Sequence, residues 1–234
     1  GPPPPPPSCS MDKYHPGVYY IQAERVVAEI DGETKAFEDY QWSGTGFMLN
    51  NGKFVTARHV IEEWIFINPQ NPNQRKLTLN VIANNFGKVT AYFTAYSPDG
   101  SRFSFTNHDC RMDISNDVRT QIPNNENGEY NVRFAKADDT DWAVYDAGGS
   151  SELSKAAEKS ENMRAQDELH ILGYPLGYGV SREEIVPSYS NSPVAQNGLQ
   201  DGIIPVTSRS FDHGNSGGPV FYLSNSSECS YKVV

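Results

Sequence analysis

The 234-residue chain has little cysteine, little basic charge and no long hydrophobic run. Its three cysteines, Cys9, Cys110 and Cys229, are few, odd in number and widely spaced, so they do not predict a disulfide framework. The lack of a Cys-x-x-Cys pair gives no indication of a zinc site either. We therefore expect a disulfide-free protein that is either cytoplasmic, or secreted or periplasmic after removal of a signal.

Basic side chains are outnumbered, since 19 lysines and arginines stand against 29 aspartates and glutamates, for a formal net charge of −10. A chain this acidic lacks the positive field that holds a phosphate backbone, so we expect no nucleic-acid partner. No apolar run approaches the roughly 18 residues that a membrane-spanning helix needs, so we expect a soluble chain with no membrane span. Nothing in the composition indicates an oligomeric state.

The sequence consists largely of short β-branched and aromatic runs separated by turn signals, a pattern typical of all-β folds. Two such runs, "GFMLN" and "KFVTARHV", meet across Asn51-Gly52, which predicts a hairpin. Two blocks of roughly six strands, joined by a polar stretch, predict two β-barrels side by side. We assign residues 1–13 to a Pro-rich flexible tail, 14–147 to the first barrel, 148–166 to a polar linker with a short exposed helix, and 167–234 to the second barrel.

Three separate positions carry the residues of a nucleophilic triad. His59 lies in "TARHV", Asp141 in "TDWAVYD" and Ser216 in "GNSGGP", and His, Asp, Ser is one of the known chain orders of such triads. A serine hydroxyl is a poor nucleophile at neutral pH, so it needs the base that a neutral imidazole supplies. A buried carboxylate then fixes the imidazole tautomer and stabilises the imidazolium. Each residue alone would more often be structural, but their conjunction favours chemistry.

The glycines around Ser216 fit the same chemistry. Gly214 gives the backbone access to conformations that a Cβ would forbid, so the amides of Gly214 and Ser216 can turn toward one point. Donors aimed there in advance stabilise the charge that develops on an attacked carbonyl oxygen. We therefore predict an oxyanion hole formed by the backbone amides of Gly214 and Ser216.

Together, the segments "GTGFMLNNGKFVTARHV", "DWAVYD", "LGYPLG" and "GNSGGPV" resemble the chymotrypsin-like (trypsin-like) serine peptidases, in the family's order and from about Gly44 to Val234. The resemblance implies two six-stranded antiparallel barrels with the active site in the cleft between them. It also implies a serine endopeptidase in which His59 is the general base, Asp141 orients it and Ser216 is the nucleophile. Such an enzyme acts on protein or peptide substrates through an acyl-enzyme and requires no metal or organic cofactor.

The chain departs from the animal digestive members of this family at two points. Those members carry an aspartate directly before the nucleophile, where this chain has Asn215, and they carry disulfides that we do not expect here. The chain therefore resembles the bacterial and viral branches more closely. In the family, the strand after the nucleophile hairpin continues past the position of Val234. We thus expect the second barrel to be incomplete at the C-terminus and the natural chain to extend beyond Val234.

The resemblance also suggests which residues determine specificity. By motif spacing, Ser210 lies at the base of the pocket for the side chain before the scissile bond, Phe211 narrows this pocket and His213 lines its rim. A small neutral Ser210 argues against a preference for Lys or Arg, although Asp212 lies close enough to weaken that inference. For His213 the preferred alternative is an exposed loop position. For the whole chain, the alternative function is a catalytically silent binding or scaffold protein on the same fold.

Overall fold

The structure is a computed structural model, and it describes residues 9–136, 140–175, 180, 184–207 and 216–234. Within these residues strands predominate over short helices, so the predicted all-β class is confirmed. The strands, numbered in chain order, are β1 Val18–Ile30, β2 Glu33–Phe37, β3 Ser43–Met48, β4 Lys53–Thr56, β5 Gly87–Tyr96, β6 Arg102–Thr106, β7 Cys110–Met112, β8 Asp117–Pro123, β9 Glu129–Ala135, β10 Ala143–Asp146, β11 Glu168–Gly173, β12 Ser188–Pro193, β13 Val220–Asn225 and β14 Ser230–Val233. The helices are α1 Arg58–Ile61, α2 Gln74–Val81 and, in the predicted linker, α3 Ala157–Glu161, with 3-10 turns at Asp12–Gly17, Glu63–Ile65 and Asn107–Asp109 and a π-helical turn at Ile82–Phe86. None of the helices in the described residues is both long and apolar enough to cross a membrane.

The first and larger sheet is antiparallel and curls around its own core. In the described part of the chain its strands run in the order β6-β5-β1-β3-β4-β10-β7, and β2 also pairs with β1. The long strand β1 is shared, because its first half pairs with β3 and its second half with β2, and its register against β5 shifts between Ala23 and Arg25. Such an irregularity bends a strand and increases its twist, which suits a curled sheet. The predicted hairpin is confirmed as β3–β4, where Gly52 turns the chain with a φ of +83°.

The side chains of β5 show which face of this sheet is the inner one. Val89, Ala91, Phe93 and Ala95 are buried, and the side chains between them are partly exposed. Aromatic rings in mutual contact make up much of this core: Phe54, Phe93 and Phe105 are buried, and Phe103 and Tyr145 are partly buried and pack against them. A fully buried phenylalanine contributes about 1.5–3 kcal/mol through the apolar area removed from water. This core fixes β4 and β10, the strands that lead to the candidate site.

The second sheet has four strands in the described residues, in the order β12-β11-β13-β14. Its core around Phe221 and Tyr231 also takes in Met11 and Tyr14 from the N-terminal segment. The backbone N–H of Tyr231 donates to the hydroxyl of Tyr14 at 2.8 Å, which ties this segment to β14. The two sheets match the two-barrel chymotrypsin-like fold, although neither barrel is fully closed and the described sheets hold eight and four strands instead of six and six. Strands β8 and β9 form a separate two-stranded sheet.

A disulfide joins Cys9 to Cys229, so the expectation of a disulfide-free protein is wrong. The two cysteines are 220 residues apart in sequence, but the packing of the N-terminal segment on the second sheet brings their Cα atoms to 5.2 Å. This pairing depends on tertiary contacts, which the spacing of cysteines does not reveal. The remaining cysteine, Cys110, is a free thiol, and burial raises its pKa to about 12.

We expect iodoacetamide at about pH 8 to modify no cysteine in the native protein, because the thiolate is the reactive form and the raised pKa of Cys110 keeps its thiol protonated. Unfolding without reduction should make one thiol reactive, that of Cys110, and unfolding after reduction should make all three cysteines reactive. Mass spectrometry of the intact chain counts the adducts. Three adducts in the unfolded, unreduced chain would contradict the Cys9–Cys229 bond.

Candidate active site

His59 lies on α1, a single helical turn that begins two residues after β4 ends. Val60 and Ile61 on the same turn are buried in the core of the first sheet and anchor it. The His59 side chain is 36% exposed, because it points away from that core, and its ring packs edge-on against Phe66 with the centroids 5.7 Å apart. The local fold thus leaves the imidazole accessible while the backbone beneath it is fixed.

Asp141 stands two residues before β10, and the register of β10 with β4 sets its position. Ala143 of β10 is paired with Thr56, three residues before His59. The Oδ1 atom of Asp141 accepts the backbone N–H of His59 at 2.9 Å, and Oδ2 lies 2.6 Å from Nδ1 of His59. An ionised carboxylate only accepts hydrogen bonds, so opposite such a group Nδ1 is the donor and, in a neutral imidazole, Nε2 keeps a free lone pair. In this tautomer the imidazole can act as a base through Nε2.

Ser216 comes from the other part of the fold, four residues before β13 begins. Its backbone carbonyl accepts the N–H of Thr45 on β3 at 2.9 Å. The next residue, Gly217, has a φ of +85°, and a Cβ there would lie 2.1 Å from the carbonyl oxygen of Thr45 and 2.8 Å from the backbone nitrogen of Ala57. Both the positive φ and this close approach require glycine. The backbone at Ser216 is therefore held against β3 and against the end of β4, which leads into α1. We call α1, Arg58–Ile61, the histidine turn.

Thr45 is the residue of β3 on which this contact depends, and it is fully buried. Its carbonyl oxygen accepts a hydrogen bond from Thr56 Oγ1 at 2.7 Å, and its own Oγ1 accepts the backbone N–H of Tyr174 at 2.9 Å. Tyr174 follows β11 of the second sheet, and its hydroxyl donates to the carbonyl oxygen of Val18 at 2.8 Å. Residues 216–219, between Ser216 and the start of β13, form the serine segment. Thr45 therefore joins this segment and both sheets at one point.

Neither Thr45 nor Tyr174 was predicted from the sequence as part of the site. For Thr45 the usable signal is its place between two glycines in "GTGF", within a strand. Glycine inside a strand often marks a close approach of another segment. Here a Cβ at Gly44 would lie 2.6 Å from the side chain of Val60, and one at Gly46 would lie 2.3 Å from the ring of Phe54.

A cleft of about 360 Å³ opens beside Asp141. Its lining combines Asp141 and Trp142 from the first sheet's side with Gly217 and Gly218 from the serine segment. Trp142 is 39% exposed, so a large apolar surface faces the solvent next to the carboxylate. The cleft is therefore lined both by residues around Asp141 and by the glycines that follow Ser216.

The structure brings two predicted triad residues into direct contact and fixes the backbone of the third. His59 and Asp141 are hydrogen-bonded, and Ser216 is held through its carbonyl oxygen. Outside the described residues lie the predicted oxyanion-hole glycine, the predicted pocket residues and the residue before the serine, namely Gly214, Ser210, Phe211, His213 and Asn215. In the part of the chain that the structure does describe, no group of three His, Cys, Asp or Glu side chains is placed to hold a metal ion.

Comparison with known proteins gives one family match. A family model described as a trypsin-like peptidase domain matches residues 44–226. No curated protein sequence matches the chain significantly.

Three solved structures to which the chain is similar share little sequence with it. An inactivated protease paralogue of the scabies mite, S-I1, is 10% identical with a TM-score of 0.41, over 92% of this chain and 82% of that one. The inactive form of the Rv3671c protease of M. tuberculosis is 16% identical with a TM-score of 0.36, over 92% and 81%. Neuropsin, a serine protease of mouse brain, is 11% identical with a TM-score of 0.40, over 90% and 79%.

The close packing at Gly217 is testable by substitution. Gly217→Ala should lower the free energy of unfolding by about 3 kcal/mol or more. The new Cβ must displace backbone atoms, and the alanine must also adopt a positive φ. The matched control is Gly32→Ala, since Gly32 has a similar φ of +81° but no atom within 4 Å of the point where a Cβ would stand. That control should cost only about 1–2 kcal/mol. Urea unfolding measures both, and equal losses would contradict the packing of Gly217 on Thr45.

Proposed function

Since the chain belongs to the trypsin-like peptidase family, we propose that it is a serine endopeptidase that hydrolyses peptide bonds through an acyl-enzyme intermediate. In this proposal His59 is the general base, Asp141 orients it and Ser216 is the nucleophile. The observation that carries the proposal is the two-point contact in which Asp141 binds both the backbone N–H and Nδ1 of His59. This contact leaves Nε2 ready to accept a proton, which is what a serine nucleophile requires.

The proposed chemistry has two halves that use the same residues. Ser216 Oγ attacks the carbonyl carbon of the scissile bond and transfers its proton to Nε2 of His59. When the tetrahedral intermediate collapses, the C–N bond breaks and His59 returns the proton to the leaving amine. A water molecule, deprotonated by the same nitrogen, then attacks the carbonyl carbon of the acyl ester. The bond from this carbon to Ser216 Oγ breaks, His59 returns the proton to Oγ, and the acid is released. Asp141 stays ionised throughout and stabilises the imidazolium formed in each half.

The negative charge on the tetrahedral oxygen needs hydrogen-bond donors that are already in place. We assign this role to the backbone amides of Gly214 and Ser216, as the resemblance implies. One such donor typically contributes about 3 kcal/mol to the stabilisation of the transition state.

The substrate in this proposal is a protein or peptide, and neither a metal ion nor an organic cofactor takes part. The apolar surface of Trp142 beside Asp141 suits the side chains of an extended polypeptide. Ser210, Phe211 and His213 remain the predicted determinants of preference at the side chain before the scissile bond. A small neutral residue at Ser210 would favour an uncharged side chain there.

A fluorophosphonate probe tests the nucleophile directly. We expect the wild-type chain to be labelled covalently on Ser216, because the probe phosphonylates only a serine hydroxyl that an adjacent base activates. Ser216→Ala should abolish labelling, and Ser227→Ala, which changes a serine in an exposed turn, should leave it unchanged. Peptide mapping by mass spectrometry locates the adduct. A folded wild type that is not labelled would support the silent binding protein and refute the enzyme.

A second test concerns the carboxylate. Asp141→Asn should lower kcat by about 10⁴-fold, because the amide favours the imidazole tautomer that cannot accept the serine proton at Nε2. The control is Asp146→Asn, which removes a carboxylate at the end of β10 that pairs with Lys53 at the surface. Steady-state hydrolysis of a peptide ester compares the two variants. Similar losses in both would show that Asp141 does not have the proposed role.

A further inference from the structure

Arg58, the residue directly before His59, has a completely buried side chain with 0% exposure. A charged guanidinium in that position is costly unless charged partners and hydrogen bonds compensate it. The motif that carries the family resemblance leaves this position variable, so the resemblance assigns it no role. The partners of Arg58 therefore have to indicate what it does.

The Arg58 guanidinium binds Asp117 through a two-pronged contact. Its Nη1 donates to Oδ1 of Asp117 at 2.7 Å and its Nη2 donates to Oδ2 at 2.8 Å. Nη2 also donates to Glu62 at 3.2 Å, and Nη1 to the backbone carbonyl oxygen of Asp113 at 3.3 Å. A fork of this kind fixes the direction of the guanidinium as well as its distance, which a lysine ammonium cannot do.

Asp117 is the first residue of β8 in the two-stranded sheet β8–β9, and its side chain is only 5% exposed. Across the hairpin, Arg133 of β9 places Nε 3.4 Å from Asp117 and Nη2 3.9 Å from Glu62. The cluster thus contains two guanidinium groups and two carboxylates, so its charges balance. Asn80 on α2 holds the same strand, since it donates to the carbonyl oxygen of Arg133 at 2.6 Å. The hairpin is therefore a fixed support and not a free flap.

The histidine turn needs such a support because it is too short to be stable as an isolated helix. α1 is four residues long, and its N-cap residue Ala57 makes no side-chain capping bond. A single helical turn is unstable unless tertiary contacts fix it. Consecutive residues on a helix leave it about 100° apart, so Arg58 and His59 project in different directions from one backbone. Any rotation of the turn that loosened one of these side chains would also displace the other.

We propose that Arg58 is a positioning residue that clamps the histidine turn to hairpin β8–β9 through Asp117 and so keeps His59 aligned with Asp141. Its catalytic part rests on the proposed function, whereas its structural part does not. Asp141 binds the backbone N–H of His59, and Asp117 binds the side chain of the preceding residue, Arg58, so two carboxylates from different segments hold the turn. Burial alone would lower the pKa of Arg58, but the hydrogen bonds and charges of Asp117 and Glu62 outweigh burial and raise it. The clamp therefore stays charged over the whole range in which an imidazole base works.

The test compares Arg58→Met with Arg75→Met as a matched control. Arg75 also pairs with a largely buried glutamate, Glu63, but it lies on α2, outside the histidine turn. Two readouts are measured below the unfolding temperature of each variant: kcat and KM on a peptide ester, and the downfield proton NMR signal of the hydrogen bond between His59 Nδ1 and Asp141.

We expect Arg58→Met to lower kcat by about 10- to 100-fold with a small change in KM, because a slight misplacement of a catalytic group costs this much. The downfield signal should broaden or disappear in the same variant, since the Nδ1 proton then exchanges with water. Arg58→Lys should be intermediate in both, because it restores the charge but not the fork. Arg75→Met should keep kcat within about two-fold and keep the signal. Loss of both readouts to the same degree in Arg58→Met and Arg75→Met would overturn the proposal.

A double variant separates positioning from stability. Arg58→Met alone leaves an uncompensated buried carboxylate, whereas Arg58→Met combined with Asp117→Leu removes one charge of each sign and leaves Glu62 and Arg133 as a balanced pair. Replacing a buried ion pair with apolar side chains is often neutral for stability. We therefore expect the double variant to recover the unfolding temperature while kcat and the NMR signal stay low. If the unfolding temperature, kcat and the NMR signal all recovered in the double variant, Arg58 would only stabilise the fold, and the clamp would be refuted.

The two readouts also distinguish failure of this inference from failure of the proposed function. If the wild type is not labelled by the fluorophosphonate probe, the enzyme is refuted, but the NMR signal still reports the His59–Asp141 contact. The clamp is then supported if the signal is present in the wild type and Arg75→Met and absent in Arg58→Met. It is refuted if the signal survives in Arg58→Met.

Discussion

The hydrogen bonds of Thr45 are the constraint on which the arrangement of the candidate site depends. This buried residue of β3 binds Thr56 within its own sheet, Tyr174 at the end of β11 and Ser216 ahead of β13. Its backbone N–H, carbonyl oxygen and hydroxyl are all used, and each bond reaches a different segment. Leaving a buried polar group without its partner costs about 1–3 kcal/mol, so these segments do not shift independently. The serine segment is thereby tied to the sheet that carries His59.

The histidine turn depends in the same way on contacts that are distant in sequence. Val60 and Ile61 anchor it in the first core, and the indole Nε1 of Trp42 donates to the carbonyl oxygen of Val60 at 2.8 Å. Asp141, just before β10, binds its backbone N–H, and Arg58 binds Asp117 at the start of β8. A turn that has little stability of its own can thus hold an imidazole in one orientation. Its geometry is a property of the packed fold rather than of the motif.

The sequence predicts the parts of this arrangement that are local. The Asn51-Gly52 hairpin is there, and the family match over 44–226 agrees with the resemblance inferred from the motifs. Contacts between remote segments are not predictable from periodicity or spacing, because these patterns describe a strand or helix and not what packs against it. The number and spacing of the cysteines therefore do not predict the Cys9–Cys229 disulfide. The role of Arg58 is not predicted from the sequence for the same reason, since its partner Asp117 lies 59 residues away.

Docking of the serine segment on β3 through Thr45 holds the two parts of the site together, and amide hydrogen exchange at Thr45 measures its stability. The N–H of Thr45 donates to the carbonyl oxygen of Ser216. If the docking is stable, this amide should exchange only through global unfolding, at the same rate as the amides of the central strand β1. Exchange of the Thr45 amide through a local opening, much faster than that of β1, would show that the serine segment is not stably docked on β3.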